Sequence, residues 1–81
     1  MMEKVDLIVV RGDFWEVIYL DNNKFCANPD HTSKFWTTLL NKYDINSAKY
    51  YQLNSYGKMI YEFERKGYPE KFSEINIKYY M

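Results

Sequence analysis

The chain has 81 residues with eleven Lys or Arg against eleven Asp or Glu, a formal net charge of zero. That balance excludes a binder held on polyanions by an excess of cationic side chains. Its single cysteine leaves no internal disulfide, so the fold must stand on packing, and a reducing, cytoplasmic home is expected.

One residue in five is aromatic, with nine Tyr, five Phe and two Trp. A domain this small needs large apolar side chains to make a core, yet this exceeds what one core of that size requires, so some rings are expected to face outward. Charge is unevenly spread: residues 1–33 carry six acids and three bases, residues 34–81 eight bases and five acids. Opposed halves of this kind steer partners or each other. Glu3, Asp6 and Arg11 break up the one N-terminal apolar stretch, which predicts neither a secretory leader nor a membrane span. Lys, Asn, Tyr and Ile, all with A/T-rich codons, make up 31 residues and point to a low-GC genome, a description that many bacteria, phages and mobile elements fit.

Two β-runs open the chain, residues 4–10 and 14–21, with Gly12-Asp13 suited to a two-residue hairpin. A third run, 24–28, follows Asn22-Asn23, a good type I′ turn because Asn tolerates positive φ. With two-residue loops, Leu7 stands opposite Ile18, Leu20 opposite Phe25 and Ile18 opposite Ala27. Val5, Leu7, Ile18, Leu20, Phe25 and Ala27 then share a core face. The other face carries Ile8, Val10, Trp15, Val17, Tyr19 and Cys26, and it is equally apolar.

After Pro29 the period changes. Phe35, Trp36, Leu39, Leu40 and Tyr43 form a helical stripe, predicting a helix over 31–43 with Asp30 or Thr32 as N-cap, ended by Asp44-Ile45-Asn46. Between residues 47 and 64 two patterns compete. Tyr56, Met59, Ile60 and Phe63 fit a helix, whereas a turn at Asn54-Ser55-Tyr56-Gly57 pairs Leu53 with Met59 and Tyr51 with Tyr61 in a hairpin. The hairpin is favoured, because it puts Phe63 with the apolar residues and sends Gln52, Glu62 and Glu64 to the other side. Gly67-Tyr68-Pro69 breaks the pattern and 75–80 reads as a last strand. The expected fold is a single α+β domain over residues 1–81, an N-terminal three-stranded antiparallel meander, one amphipathic helix, then a C-terminal hairpin and last strand, βββ-α-βββ.

The chemistry-bearing constellations are sparse, and no enzyme is expected. Cys26 and His31, the lone thiol and imidazole, are too few for a zinc site, and their spacing does not establish a catalytic pair. Asp6, Asp13, Glu16 and Asp21 do not converge on one side of their strands, so no metal cluster and no cofactor follow. Glu16 falls on the core face near Val9 and Ile18, and there it needs either an open sheet edge or a hydrogen-bonding partner. Arg11-Gly12-Asp13 spells an adhesive tripeptide that turn chemistry already explains.

The second apolar sheet face is the stronger feature. Ile8, Val10, Trp15, Val17 and Tyr19 are covered either by the C-terminal strands or by another chain, since contiguous exposed patches of that size mark interaction sites. The expected function is a small non-enzymatic protein-binding module, an inhibitor or adaptor, directed against a host defence or nuclease system if the gene is phage- or mobile-element-encoded. The expected partner is another protein, with a homodimer closed by this face a further option, and no membrane. The alternative is single-stranded nucleic-acid binding through the basic, Tyr-rich C-terminal half: Lys49, Tyr50, Lys58, Lys78, Tyr79 and Tyr80.

Overall fold

Val, Ile and Leu dominate the first apolar run, and β-branched residues fit a pleated sheet better than a helix. Strand β1 (Glu3–Arg11) accordingly lies at the centre, in the order β3-β2-β1-β4 with β2 (Glu16–Leu20), β3 (Asn23–Asn28) and β4 (Tyr43–Gln52). A computed structural model describes residues 2–63 and 67–81, apart from the Phe63 side chain. It is a mixed four-stranded sheet with two short helices, roughly α+β.

The meander forms as expected, but both turns differ from the predicted ones. The first is a four-residue loop closed by the Gly12 N–H donating to the Trp15 carbonyl at 2.9 Å, so Leu7 faces Leu20 and Val9 faces Ile18. A slip of two residues leaves the faces unchanged. The second turn places positive φ at Asp21 (50°) and Asn22 (73°) rather than at Asn22-Asn23. That shift alone moves each pairing by two and keeps the faces; the bulge that follows reverses them. Ile18 now faces Cys26 and Val17 faces Ala27, with a bulge between Ile18 and Tyr19. Cys26 therefore joins the first core and Ala27 the second, the reverse of the expected assignment.

Helix α1 (Ser33–Lys42) starts where Thr32 accepts the Phe35 N–H at 3.2 Å. It lays Phe35, Trp36 and Leu39 on the face formed by Val5, Leu7, Val9, Ile18 and Leu20. Asp44-Ile45-Asn46 does end it, but by starting β4, which runs parallel to β1 with a bulge at Asn46. The chain thus crosses from one sheet edge to the other beneath a helix, as parallel strands require.

Beyond β4 the helical pattern prevails over the hairpin. Asn54 caps α2 (Ser55–Lys58), accepting the Gly57 N–H at 3.0 Å, and a π-helical turn Met59–Phe63 follows. Glu64 and the Phe63 side chain, assigned to opposite hairpin faces, lie outside the described residues. The final strand is replaced by two 3₁₀ turns, Phe72–Glu74 and Ile77–Tyr79, which form no ladder with the sheet but touch it through the isolated bridges Asn23–Lys71 and Leu53–Tyr80. The expected βββ-α-βββ is in fact a meander, a helix, a parallel edge strand and an irregular C-terminal cover.

That cover settles where the second sheet face goes. Leu53, Tyr68 and Ile75, with Tyr61, Phe72, Tyr79 and Tyr80, pack on Val10, Val17 and Tyr19. Burying large apolar side chains on both faces makes two cores from one sheet, each closed by a single layer.

Candidate functional site

Four of the five residues assigned to a protein interface lie under this cover. Val10, Val17 and Tyr19 are fully buried and Ile8 is half-buried against them. The Tyr19 hydroxyl donates to the Pro69 carbonyl at 2.8 Å, and burial pushes its ionisation well above the ordinary tyrosine range. Trp15 alone stays at the surface, 40% exposed, because it ends the loop between β1 and β2.

The loop is held by one carboxylate. Glu62 accepts the backbone N–H groups of Asp13 (2.9 Å), Phe14 (3.1 Å) and Trp15 (3.0 Å), and the Tyr68 hydroxyl at 2.9 Å. A cradle of successive N–H groups is an anion site, here filled by the chain itself. Gly12 is needed for this approach, since a Cβ there would collide with Glu62 Oε1 and the Tyr68 hydroxyl. Burial, and then the bond to Glu62, raise the Tyr68 phenol above its ordinary range. Arg11 of the adhesive tripeptide donates to the Pro29 carbonyl at 2.7 Å, and Asp13 pairs with Lys58 at 2.9 Å. The tripeptide is thus tied into the fold.

Beside Glu62 two grooves open, walled by rings that range from exposed Trp15 and Tyr56 to buried Tyr68. One groove, of about 390 Å³, is lined by Trp15, Lys24, Ala27, Tyr61, Glu62, Gly67 and Tyr68. A second, of about 410 Å³, is lined by Tyr56, Ile60, Lys78 and Tyr79. The two adjoin, because Tyr61 of the first meets Tyr79 of the second edge-to-face at 5.9 Å and also stacks on Tyr68 at 5.6 Å. Tyr56 is 69% exposed and Ile77, beside Lys78, 82%. Asn54 fixes the second groove by donating to the Lys78 carbonyl at 2.7 Å while it caps α2. The grooves were legible only as a surplus of rings; the stripe Tyr56, Met59, Ile60 was the signal for the helix that forms one wall.

The nucleic-acid set is not one surface. Lys49 and Tyr50 sit on opposite faces of β4, against Ile8 and Val9 of β1. Lys58 is paired with Asp13, Tyr80 packs in the second core, and only Lys78 and Tyr79 share a groove.

Cys26 and His31 do meet. The thiol lies 3.4 Å from His31 Nε2, and His31 Nδ1 lies 2.5 Å from Glu16 Oε1. Glu16 thereby has the partner its core position demanded. The imidazole is fully buried beside Phe35 at 4.3 Å and Trp36 at 6.1 Å. Nucleophilic catalysis by cysteine needs a thiolate, whereas burial, helped by the Glu16 charge, raises the Cys26 thiol. The trio ties β2, β3 and the lead-in to α1 together. The carboxylates do not converge: Asp6 accepts from Asn46 and Ser47, and Asp21 from the Asp6 N–H. Among the described residues, no group of three or more metal-binding side chains occurs and no helix is long and apolar enough to cross a membrane.

A small α+β domain carrying two adjoining aromatic grooves is as far as fold and surface define a class. No known family model, curated protein or solved structure matches the chain significantly.

Proposed function

We propose that the chain is a small non-enzymatic protein-binding module, an inhibitor or adaptor, that receives a partner's apolar side chains in the paired grooves around Trp15, Tyr56, Tyr61, Tyr68 and Tyr79. The adjoining of the grooves through the Tyr61–Tyr79 contact carries this reading. Tyr and Trp provide large contact area at low rotamer cost, and they dominate binding hot spots. Zero net charge leaves steering to local pairs, with Lys24 and Lys78 at the groove walls.

The test is affinity capture from the native host with wild type and with a Trp15→Ala/Tyr56→Ala variant. A stoichiometric protein held by wild type and lost with the variant is the expected result. Equal capture by both, or none by wild type, refutes it. Titration with single-stranded oligonucleotides at low salt is the control: binding with a clear salt slope would favour the nucleic-acid alternative.

A further inference from the structure

Strand β4 is the terminal strand of its sheet, paired with β1 along Tyr43–Gln52 and with no further strand beyond it among the described residues. We propose that this edge docks a second copy of the chain, the two β4 strands pairing antiparallel about a two-fold axis between Asn46 and Ser47.

The bulge decides the register. Tyr43, Ile45, Ala48 and Tyr50 stand beside Glu3, Val5, Leu7 and Val9, on the face covered by α1. Asp44, Ser47 and Lys49 stand beside Lys4, Asp6 and Ile8 on the other face. Asn46 joins them, because its amide and the Ser47 hydroxyl both donate to Asp6 Oδ1, at 2.9 and 2.8 Å. The order of faces over residues 43–50 therefore reads the same in both directions from the 46/47 midpoint. An ordinary strand alternates and matches its own copy in many registers; a strand with one bulge matches itself across that bulge in one.

In that register Asp44 lies opposite Lys49 of the second copy, and Lys49 opposite its Asp44. Tyr43 faces Tyr50, and Ile45 faces Ala48. Opposite charges and aromatic pairs directly across strands stabilise a sheet, and like charges there destabilise it. A lysine and a bulge usually guard an edge against pairing. Here the same lysine meets an aspartate and the bulge meets its symmetry mate, so the guard admits this chain and excludes others. Among the described residues neither Asp44 nor Lys49 has an ion pair within 4.0 Å, although Asp44 stands beside Lys4 and the Lys49 charge reaches Asp6. The edge lies apart from the aromatic grooves, so the inference does not rest on their reading.

Light scattering of the intact chain on a sizing column, from about 10 μM to about 1 mM, tests it. Wild type is expected at twice the 9.9 kDa monomer mass, dissociating on dilution. Asp44→Lys and Lys49→Asp should each raise the dissociation constant by about tenfold or more. Asp44→Lys/Lys49→Asp should restore it. Circular dichroism identifies a variant that fails to fold, and the other single reversal then decides. A wild type that stays monomeric throughout overturns the proposal, as does a dimer indifferent to both reversals or not recovered in the double reversal.

Discussion

Replacing Glu62 by Ala removes four accepted hydrogen bonds at once, three from consecutive loop N–H groups and one from the Tyr68 hydroxyl. The loop N–H groups lie at the surface and recover bonds to water, so each contributes about 1 kcal/mol or less. The Tyr68 hydroxyl is part-buried and its loss adds about 1–2 kcal/mol. The expected destabilisation is about 3–4 kcal/mol, against a total of roughly 4–12 kcal/mol for a chain of this length. Urea unfolding followed by Trp fluorescence reads it directly, and thermal melting should fall by roughly 12–30 °C. Glu62→Gln keeps Oε1, which takes three of the four bonds, and turns an amide toward the Asp13 N–H; it should cost about 1–2 kcal/mol. Gly12→Ala forces a methyl against the same carboxylate. Its cost should therefore shrink by about 1 kcal/mol or more in the Glu62→Ala background. A Glu62→Ala cost under about 0.5 kcal/mol, or additive Gly12 and Glu62 effects, would refute the claim that this carboxylate holds the loop.

Asn54→Ala removes both the α2 cap and the bond to the Lys78 carbonyl, and should cost about 2 kcal/mol, with faster hydrogen exchange at the Tyr79 and Tyr80 amides; Asn54→Asp keeps the cap alone and should fall between. Cys26 should react with a disulfide reagent more slowly than a free thiol at neutral pH and at the ordinary rate once urea unfolds the chain, since burial raises its ionisation. His31→Ala removes the closest partner of Glu16, leaving it Arg11 at 4.0 Å, and empties a fully buried imidazole site; it should destabilise by about 2–3 kcal/mol, whereas Cys26→Ser should cost less, both measured by urea unfolding. Tyr19, Tyr68 and Tyr80 ionise above the ordinary value of 10.0 because they are buried. Their folded-state pKa values exceed the unfolded one, so the stability they contribute is intact below about pH 10 and lost as pH rises beyond it. Tyrosinate absorbance should show these three titrating together with unfolding.

Residues local in sequence made their elements legible. Alternating β-branched residues in 3–20 give β1 and β2, the Phe35-Trp36-Leu39 stripe gives α1, and Thr32 marks its start, because each depends on a period or a cap that neighbours alone decide. Glu16 could be seen to need a partner, though not that His31 would supply it. What the sequence ranks wrongly is the contest at residues 47–64, where strand and helix patterns overlap and the hairpin is favoured. Tertiary contacts decided it: β1 offered a free edge that drew 43–52 into a parallel strand, and Asn54 found carbonyls at Lys78 and Tyr80 as well as the Gly57 N–H.

The sequence by itself determined that one sheet would be apolar on both faces and that aromatic rings would be left over. Alternation fixes which side chains travel together, whatever covers them. Only the tertiary structure decided that residues 53–63 and 67–80 close the second face from within, burying Tyr19 and leaving Trp15 and Tyr56 as the exposed rings beside half-buried Tyr61 and Tyr79. It also decided the bulge opposite Ile18 and Tyr19 that brought Cys26 to His31. Both are outcomes of competition among turns and pairings of similar local energy, and long-range burial settles such contests.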